Sequence, residues 1–227
     1  MRVIITGAGR LGVETATALT AARHEVSLID IDDELVERLK ASLKCQVLWG
    51  DACDPNVLEG SGALKADVLV ATTGDDEDNL VTSLLAKRHF DIPRIVARVN
   101  NPENHWLFDE HWGVDVALSA SSTLLSLVVE ATGSADTIGL LQLARAGVKL
   151  IETTIGAHSD TVGRTLSEIT MPTGTMIAAV VRDGEPNVPG GSFELAPGDE
   201  VILVTESATE ADIERLFQHS TSNLRNN

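Results

Sequence analysis

The chain has 227 residues, with 34 Asp and Glu against 17 Lys and Arg, and a formal net charge of -17. That balance argues against nucleic acid or an anionic lipid surface as the main partner, because neutralising phosphates takes clustered basic side chains. A hydrophobic fraction of 43% supports a packed core, while no apolar run approaches the ~18–20 residues that cross a bilayer, so no direct membrane insertion is expected.

In chain order, Arg2–Thr6 reads as a short apolar strand that begins without a separate leader and cleavage site. Leu11–Ala22 has helical spacing, Glu25–Ile29 is a second strand ending at Asp30, and Asp33–Leu43 is a helix. Gln46–Trp49 is a third strand, followed by a short helix, Pro55–Gly60, with Pro in its first turn. Val68–Ala71, Arg94–Val99 and Val114–Leu118 are the fourth to sixth strands, with helices expected over Asn79–His89 and Glu103–Trp112. Strands that are nearly all apolar and separated by helices imply a parallel sheet covered on both faces. With right-handed crossovers this is an α/β chain, a Rossmann-like doubly wound parallel sheet over residues 1–120, followed by a second, smaller α+β domain.

Residues 121–147 read as a crossover or linker helical segment. Ser122–Thr132 is an apolar helix that packs either on its own sheet or on a second subunit; Gly133 and Ser134 interrupt it, and Thr137–Ala146 is expected to continue as helix. The second domain, 148–219, carries strands at Lys149–Ile155, Thr175–Arg182 and Val201–Thr205. Turns are expected at Asp183–Gly184, Gly190–Gly191 and Pro197–Gly198–Asp199, and a helix at Ala208–Gln218. Residues 220–227 are a polar, frayed tail.

The motif with the most chemistry is GAGRLG, Gly7 to Gly12, which follows a strand, opens a helix and has an acidic residue, Asp30, 18 positions beyond its last glycine. Gly7 permits the tight turn, Gly9 lets backbone approach a phosphate, and Gly12 lets helix and strand pack closely. Free N–H groups at the helix start hold an anion. Asp30 accepts from ribose hydroxyls and repels a 2′-phosphate, which disfavours NADP. Arg10 reaches back over bound phosphates or is a solvated surface side chain. Asp51, after Gly50, accepts from an adenine amino group or turns the chain. Thr72, Thr73 and Gly74 lie across the switch point from the first loop, and Arg98 faces the same crevice. The run Asp75–Asp78 is most simply an acidic first helical turn.

Other candidates are weaker. His105, Asp109 and His111 fit no compact metal site, and Trp106 and Trp112 suggest packing there. Ser119, Ser121 and Ser122 lack a nucleophile elbow. Cys45 and Cys53 read as two reduced thiols of a cytosolic protein. The absence of tyrosine removes every mechanism that needs a Tyr acid or base.

GAGRLG, LIDID (Leu28–Asp32), WGDACDPNVLEGSGALKADVLVATTGDDEDN (Trp49–Asn79) and IVARVNNP (Ile95–Pro102) together resemble the nucleotide-binding domain of Trk/Ktr-type potassium-uptake regulators, the RCK domains. ELAPGDEVILVT (Glu194–Thr205) is similar to the C-terminal domain that usually follows. The resemblance implies a non-enzymatic cytosolic regulatory subunit. It would form homodimers that build a larger ring, lie peripheral to the inner face of the membrane, and gate a potassium channel or transporter. It implies ATP/ADP as ligand, with NAD(H) as the alternative, and a binding set made of Gly7, Ala8, Gly9, Arg10, Leu11 and Gly12; Asp30, Ile31 and Asp32; Gly50, Asp51 and Ala52; Thr72, Thr73 and Gly74; and Asn79 and Arg98. Arg10 looks like a position that grips ATP's terminal phosphates. Where many members have a Pro-Glu pair, this chain has Ser119–Ala120–Ser121. The C-terminal domain binds cyclic di-AMP in some members, and no signature for it stands here. An NAD-dependent oxidoreductase would need an acid or base facing the nicotinamide, and after residue 120 no ionisable pair forms one. A stand-alone nucleotide-sensing module is the other alternative.

Overall fold

The structure is a computed structural model and describes residues 1–132, 135–143 and 148–218. The chain divides into two compact units, Met1–Ser122 and Thr123–Asn227.

The first unit alternates β1 (Arg2–Thr6), α1 (Arg10–Ala21), β2 (Glu25–Asp30), α2 (Asp33–Ser42), β3 (Gln46–Trp49), α3 (Pro55–Gly60), β4 (Val68–Ala71), α4 (Asp76–Arg88), β5 (Arg94–Arg98) and β6 (Val116–Leu118). The six strands are all parallel, in the order β3-β2-β1-β4-β5-β6, so the expected doubly wound sheet is what forms. Side chains alternate along each strand and feed two cores. Val3, Ile5, Val26 and Leu28 face Ala16 of α1 and Leu35 and Leu39 of α2. Ile4, Ile29, Leu69 and Ile95 join Leu58 of α3 and Leu80 and Ala86 of α4 on the other face. The helix starts are written in local chemistry: Asp32 accepts from Leu35 N and Asp54 from Asn56 N, with Pro55 at the position where a missing N–H costs nothing.

The helix expected over Glu103–Trp112 is instead two 3-10 turns, Pro102–Leu107 and Glu110–Trp112. Asn101 caps the first by accepting from Glu103 N, and Asp109 starts the second by accepting from His111 N at 2.8 Å. A second side-chain cap within the segment competes with continuous helix, and Gly113, at φ 77°, ends it.

Ser119, Ser121 and Ser122 share hydroxyl contacts at the start of α5 (Ala120–Ala131), where Ser119 also accepts from Ser122 N. Leu124, Leu125, Leu127 and Val128 of α5 are exposed.

In the second unit, β7 (Thr137–Leu143), β8 (Val148–Thr154), β9 (Thr175–Arg182), β10 (Glu185–Asn187) and β11 (Glu200–Thr205) form an antiparallel sheet in the order β10-β9-β11-β8-β7. The helical continuation expected from Thr137 is therefore strand as far as Leu143. Pairing with β8 satisfies the backbone, and Thr137 and Thr153 hydroxyls meet across the ladder at 2.7 Å. Residues 133, 134 and 144–147 and the tail expected at 220–227 lie outside the described residues. α6 (Glu210–Phe217) starts in a reciprocal Thr209–Asp212 capping box and buries Ile213 and Phe217 against Ile151, Val201 and Leu203. The turn before β11 is pinned by the buried Asp199, which accepts from Arg182 through both oxygens at 2.7 Å and from Ala196 N at 2.8 Å. Burial opposes ionisation of Asp199, but these donors together hold its pKa below the usual carboxylate range.

Candidate functional site

A cleft of about 390 Å³ opens at the carboxyl ends of the parallel strands, the place where a doubly wound sheet gathers ligands. Its wall begins with the glycine-rich loop between β1 and α1. Gly7 has φ 91°, and a Cβ there would meet the Thr72 carbonyl group at 2.8 Å. A Cβ on Gly12 would lie 1.9 Å from Gly7 O. A Cβ on Gly9 would meet nothing within 4 Å, although Gly9 lines the cleft. Packing inside the protein thus dictates the outer two glycines, whereas the middle one leaves open the space in front of the α1 N-terminus.

Asp30 holds this loop. Its Oδ2 accepts from Ala8 N at 2.5 Å and its Oδ1 from Asp32 N at 2.9 Å, while Asp32 caps α2. From the other side of the sheet switch, buried Thr72 donates to Thr6 O at 2.9 Å, with Gly7 O at 3.2 Å. Asp51 accepts from Cys53 N at 2.8 Å, so it turns the chain as it lines the cleft beside Gly50 and Ala52.

Twelve of the seventeen residues expected in the binding set line this cleft: Gly7, Gly9, Asp30, Ile31, Asp32, Gly50, Asp51, Ala52, Thr72, Thr73, Gly74 and Arg98. The other five do not. Ala8 is buried but presents its N–H to Asp30, Leu11 is exposed, and Gly12 is packed under Gly7. Asn79, fully buried, accepts from Thr73 N and donates to Arg98 O at 3.0 Å, so it ties the β4–α4 loop to the end of β5. Arg10 points away: its side chain is 92% exposed and its Nε meets Glu14 Oε1 at 2.9 Å, which raises its pKa.

Six cleft residues escaped the sequence reading as binding candidates: apolar Ile29 and Leu35, Thr82, and the ionisable Cys53, Asp75 and Asp78. Cys53 lies 3.7 Å from Thr82 Oγ1 and 3.8 Å from Asp78 O. Burial pushes its thiol pKa up. Asp75 and Asp78, taken from sequence as ordinary first-turn acids, both line the cleft. Burial raises the Asp78 pKa, and the nearby Asp75 and Asp51 carboxylates raise it further. Asp76, in the same run, does a different job. It accepts from Asn100 N, Asn101 N and Asn104 Nδ2 at 2.7–3.0 Å and so clamps the segment after β5. Burial works against its charge, but the sum of these donors keeps its pKa below the ordinary value. Elsewhere, His111 Nδ1 sits 3.0 Å from Asp109 Oδ2, Trp112 packs partly on the core, and Trp106 is exposed and not packed as expected.

Fold and cleft define a Rossmann-like domain with a glycine-rich loop at the carboxyl ends of its strands, joined to a smaller antiparallel α+β unit. The TrkA-N domain model matches residues 3–120 and the TrkA-C domain model residues 150–218. The Trk system potassium uptake protein TrkA of Mycobacterium tuberculosis is 35% identical over 219 residues, 96% of this chain and 98% of that one. The chain belongs to the TrkA family, as its motifs led one to expect. Among solved structures, the GsuK channel bound to NAD matches with a TM-score of 0.58 at 18% identity, over 96% of this chain but 40% of the channel chain. The AMP-bound Kef C-terminal domain of Shewanella denitrificans matches with a TM-score of 0.50 at 25% identity, over 60% of this chain and 83% of that one.

Proposed function

We propose that this chain is a nucleotide-sensing regulatory subunit that binds an adenine nucleotide, ATP/ADP or NAD(H), and thereby gates a membrane potassium channel or transporter. The observation that carries it is the cleft lined by Gly9, the α1 N-terminus and Asp30, in a chain that is alike end to end to a potassium uptake protein. The AMP-bound Kef domain supports adenine as the base.

In this assignment the α1 amides hold phosphate, helped by the helix dipole. Asp30 uses two of its acceptor sites on backbone and keeps others for ribose hydroxyls. Asp51 and Ala52 border the adenine, Thr73 and Gly74 close the pocket, and Arg98 supplies positive charge. Occupancy is read mechanically and not consumed: the ligand shifts the partner's gating by binding two shapes of the assembly unequally. The exposed apolar side of α5 is the seam of a homodimer that assembles into a ring at the cytoplasmic face of its membrane partner.

Calorimetry and thermal unfolding of the full chain with each nucleotide test the binding. A ligand at 100 times its dissociation constant stabilises the fold by about 2.7 kcal/mol. Asp30→Ala weakens every adenosine ligand. Potassium flux through the reconstituted partner changes on adding nucleotide; flux that is the same with and without it overturns the gating role.

A further inference from the structure

We propose that the opposite end of the parallel sheet carries a second binding site, for an anion that bears a phosphate ester. The inference goes beyond the nucleotide reading and does not depend on it.

A cavity of about 500 Å³ lies across the amino ends of β1, β2 and β3 and the turn before β4. It is larger than the cleft at the carboxyl ends and within the size range of small-molecule sites. The two have opposite sign. Five Asp and one Arg line the cleft, whereas Arg2, His24, Lys44 and Lys65 line this cavity with a single carboxylate, Glu25, among the described residues. The chain as a whole has twice as many acids as bases. Glu25 is already committed, because its Oε2 accepts from Arg2 Nε at 2.7 Å. Among the described residues Lys44 and Lys65 have no ion-pair partner, and the terminal nitrogens of Arg2 make no hydrogen bond.

Each base comes from a different place in the chain: Arg2 opens β1, His24 precedes β2, Lys44 precedes β3 and Lys65 precedes β4. The negative ends of helices favour a base just after α1 or α2 taken singly. That preference does not reach Arg2, which opens a strand, and does not explain four bases around one hollow. The neutral wall is also rich in donors. Gln46 spends its carbonyl oxygen on Ser27 Oγ at 3.1 Å, which leaves its amide nitrogen to donate. Thr20 has a buried hydroxyl with no oxygen or nitrogen partner and the Cys45 thiol beside it.

Bases and neutral donors around one committed acceptor suit an anion rich in acceptor oxygens. A phosphomonoester brings three, with a charge of about -1.5 to -2 at pH 7, and so outdoes a carboxylate on both counts. The remaining volume holds the body that carries the phosphate, whether a soluble metabolite or the glycerol end of a lipid.

The two cavities carry separate reporters, since Cys45 lines this one and Cys53 lines the cleft. The test is alkylation of the full chain, read for each thiol by mass spectrometry, with glycerol 3-phosphate as soluble probe and glycerol as its uncharged control. Vesicles of phosphatidylcholine with and without phosphatidylglycerol form the lipid arm. Glycerol 3-phosphate slows Cys45 several-fold and glycerol does not. Lys44→Gln with Lys65→Gln abolishes that protection and weakens glycerol 3-phosphate in calorimetry by about tenfold or more for each charged hydrogen bond lost. Lys65→Arg alone keeps the protection, and so does Arg164→Gln with Arg215→Gln, which removes the same charge from the second unit. Protection by glycerol 3-phosphate alone assigns the site to a soluble ligand, and protection by phosphatidylglycerol vesicles alone assigns it to a headgroup. Cys45 protected by neither probe, or protected equally in the double lysine variant, overturns the site and leaves nucleotide sensing untouched.

Discussion

Gly7, Gly9 and Gly12 answer to different neighbours, and that separates folding from binding within one loop. Gly12→Ala drives a methyl group into Gly7 O, and Gly7→Ala adds a left-handed backbone to a clash with Thr72. Overpacking of this kind costs about 1–3 kcal/mol, read as a lower midpoint in urea unfolding. Gly9 sits at φ -64°, ψ -178°, a conformation open to any residue, and its missing Cβ leaves space the protein does not fill. Gly9→Ala therefore unfolds at the native urea concentration and loses nucleotide affinity at least tenfold by calorimetry. Loss of stability in Gly9→Ala, or retained affinity, refutes the assignment of that space to phosphate. These glycines and Asp30 were legible in the sequence, because a strand–turn–helix fixes their relations over a few residues. Arg10 was legible as a residue but not as a direction: its position in the loop suits a phosphate clamp, while one turn on Glu14 offers a nearer partner.

Element by element, the parallel sheet was readable because each buried strand is an apolar run punctuated by helix caps, whereas the second unit was read less well. TIGLLQLARA satisfies helical spacing as readily as strand, and pairing of Thr137–Leu143 with β8, the next strand along the chain, decided it, which the periodicity of the segment alone does not reveal. The clamp between α4 and the segment after β5 was hidden because its partners lie far apart in the chain. Asp76 looked like one of four helix-start acids, and only the neighbouring of β4 and β5 brings the Asn100, Asn101 and Asn104 donors to it. The lowered Asp76 pKa makes the clamp acid-sensitive. On acidification the unfolded chain takes up this proton first, so the stabilisation is complete above the ordinary carboxylate pKa and is lost as pH falls through the depressed folded value. Asp76→Asn is then less stable than the native chain at pH 7, by about 1–3 kcal/mol for donors left without a charged acceptor. The difference shrinks toward pH 3 in urea titrations. A difference that holds constant with pH would mean the carboxylate's charge contributes nothing.

For the whole molecule, a net charge of -17 and an exposed apolar helix pull in opposite directions. Self-repulsion of that size disfavours casual association, so a contact between copies has to be local and apolar enough to overcome it. α5 meets that requirement: Leu124, Leu125, Leu127 and Val128 are exposed along it, and its first residues carry small hydroxyls in place of charge. If α5 is the seam, burying these four side chains twice over in a two-fold contact supplies the apolar centre of the interface. Leu125→Glu with Val128→Glu places like charges across the symmetry axis while removing apolar area. Sedimentation velocity then shows the native chain as a dimer or larger at low micromolar concentration and the variant as a monomer. Because both side chains are exposed in the single chain, the melting temperature extrapolated to low protein concentration stays within a few degrees of native. The adenine nucleotide still binds the variant, since no cleft residue changes, but potassium flux through the partner no longer responds to it. An unaltered sedimentation coefficient places the seam elsewhere, and a preserved flux response in a monomeric variant would show that gating does not require the assembly.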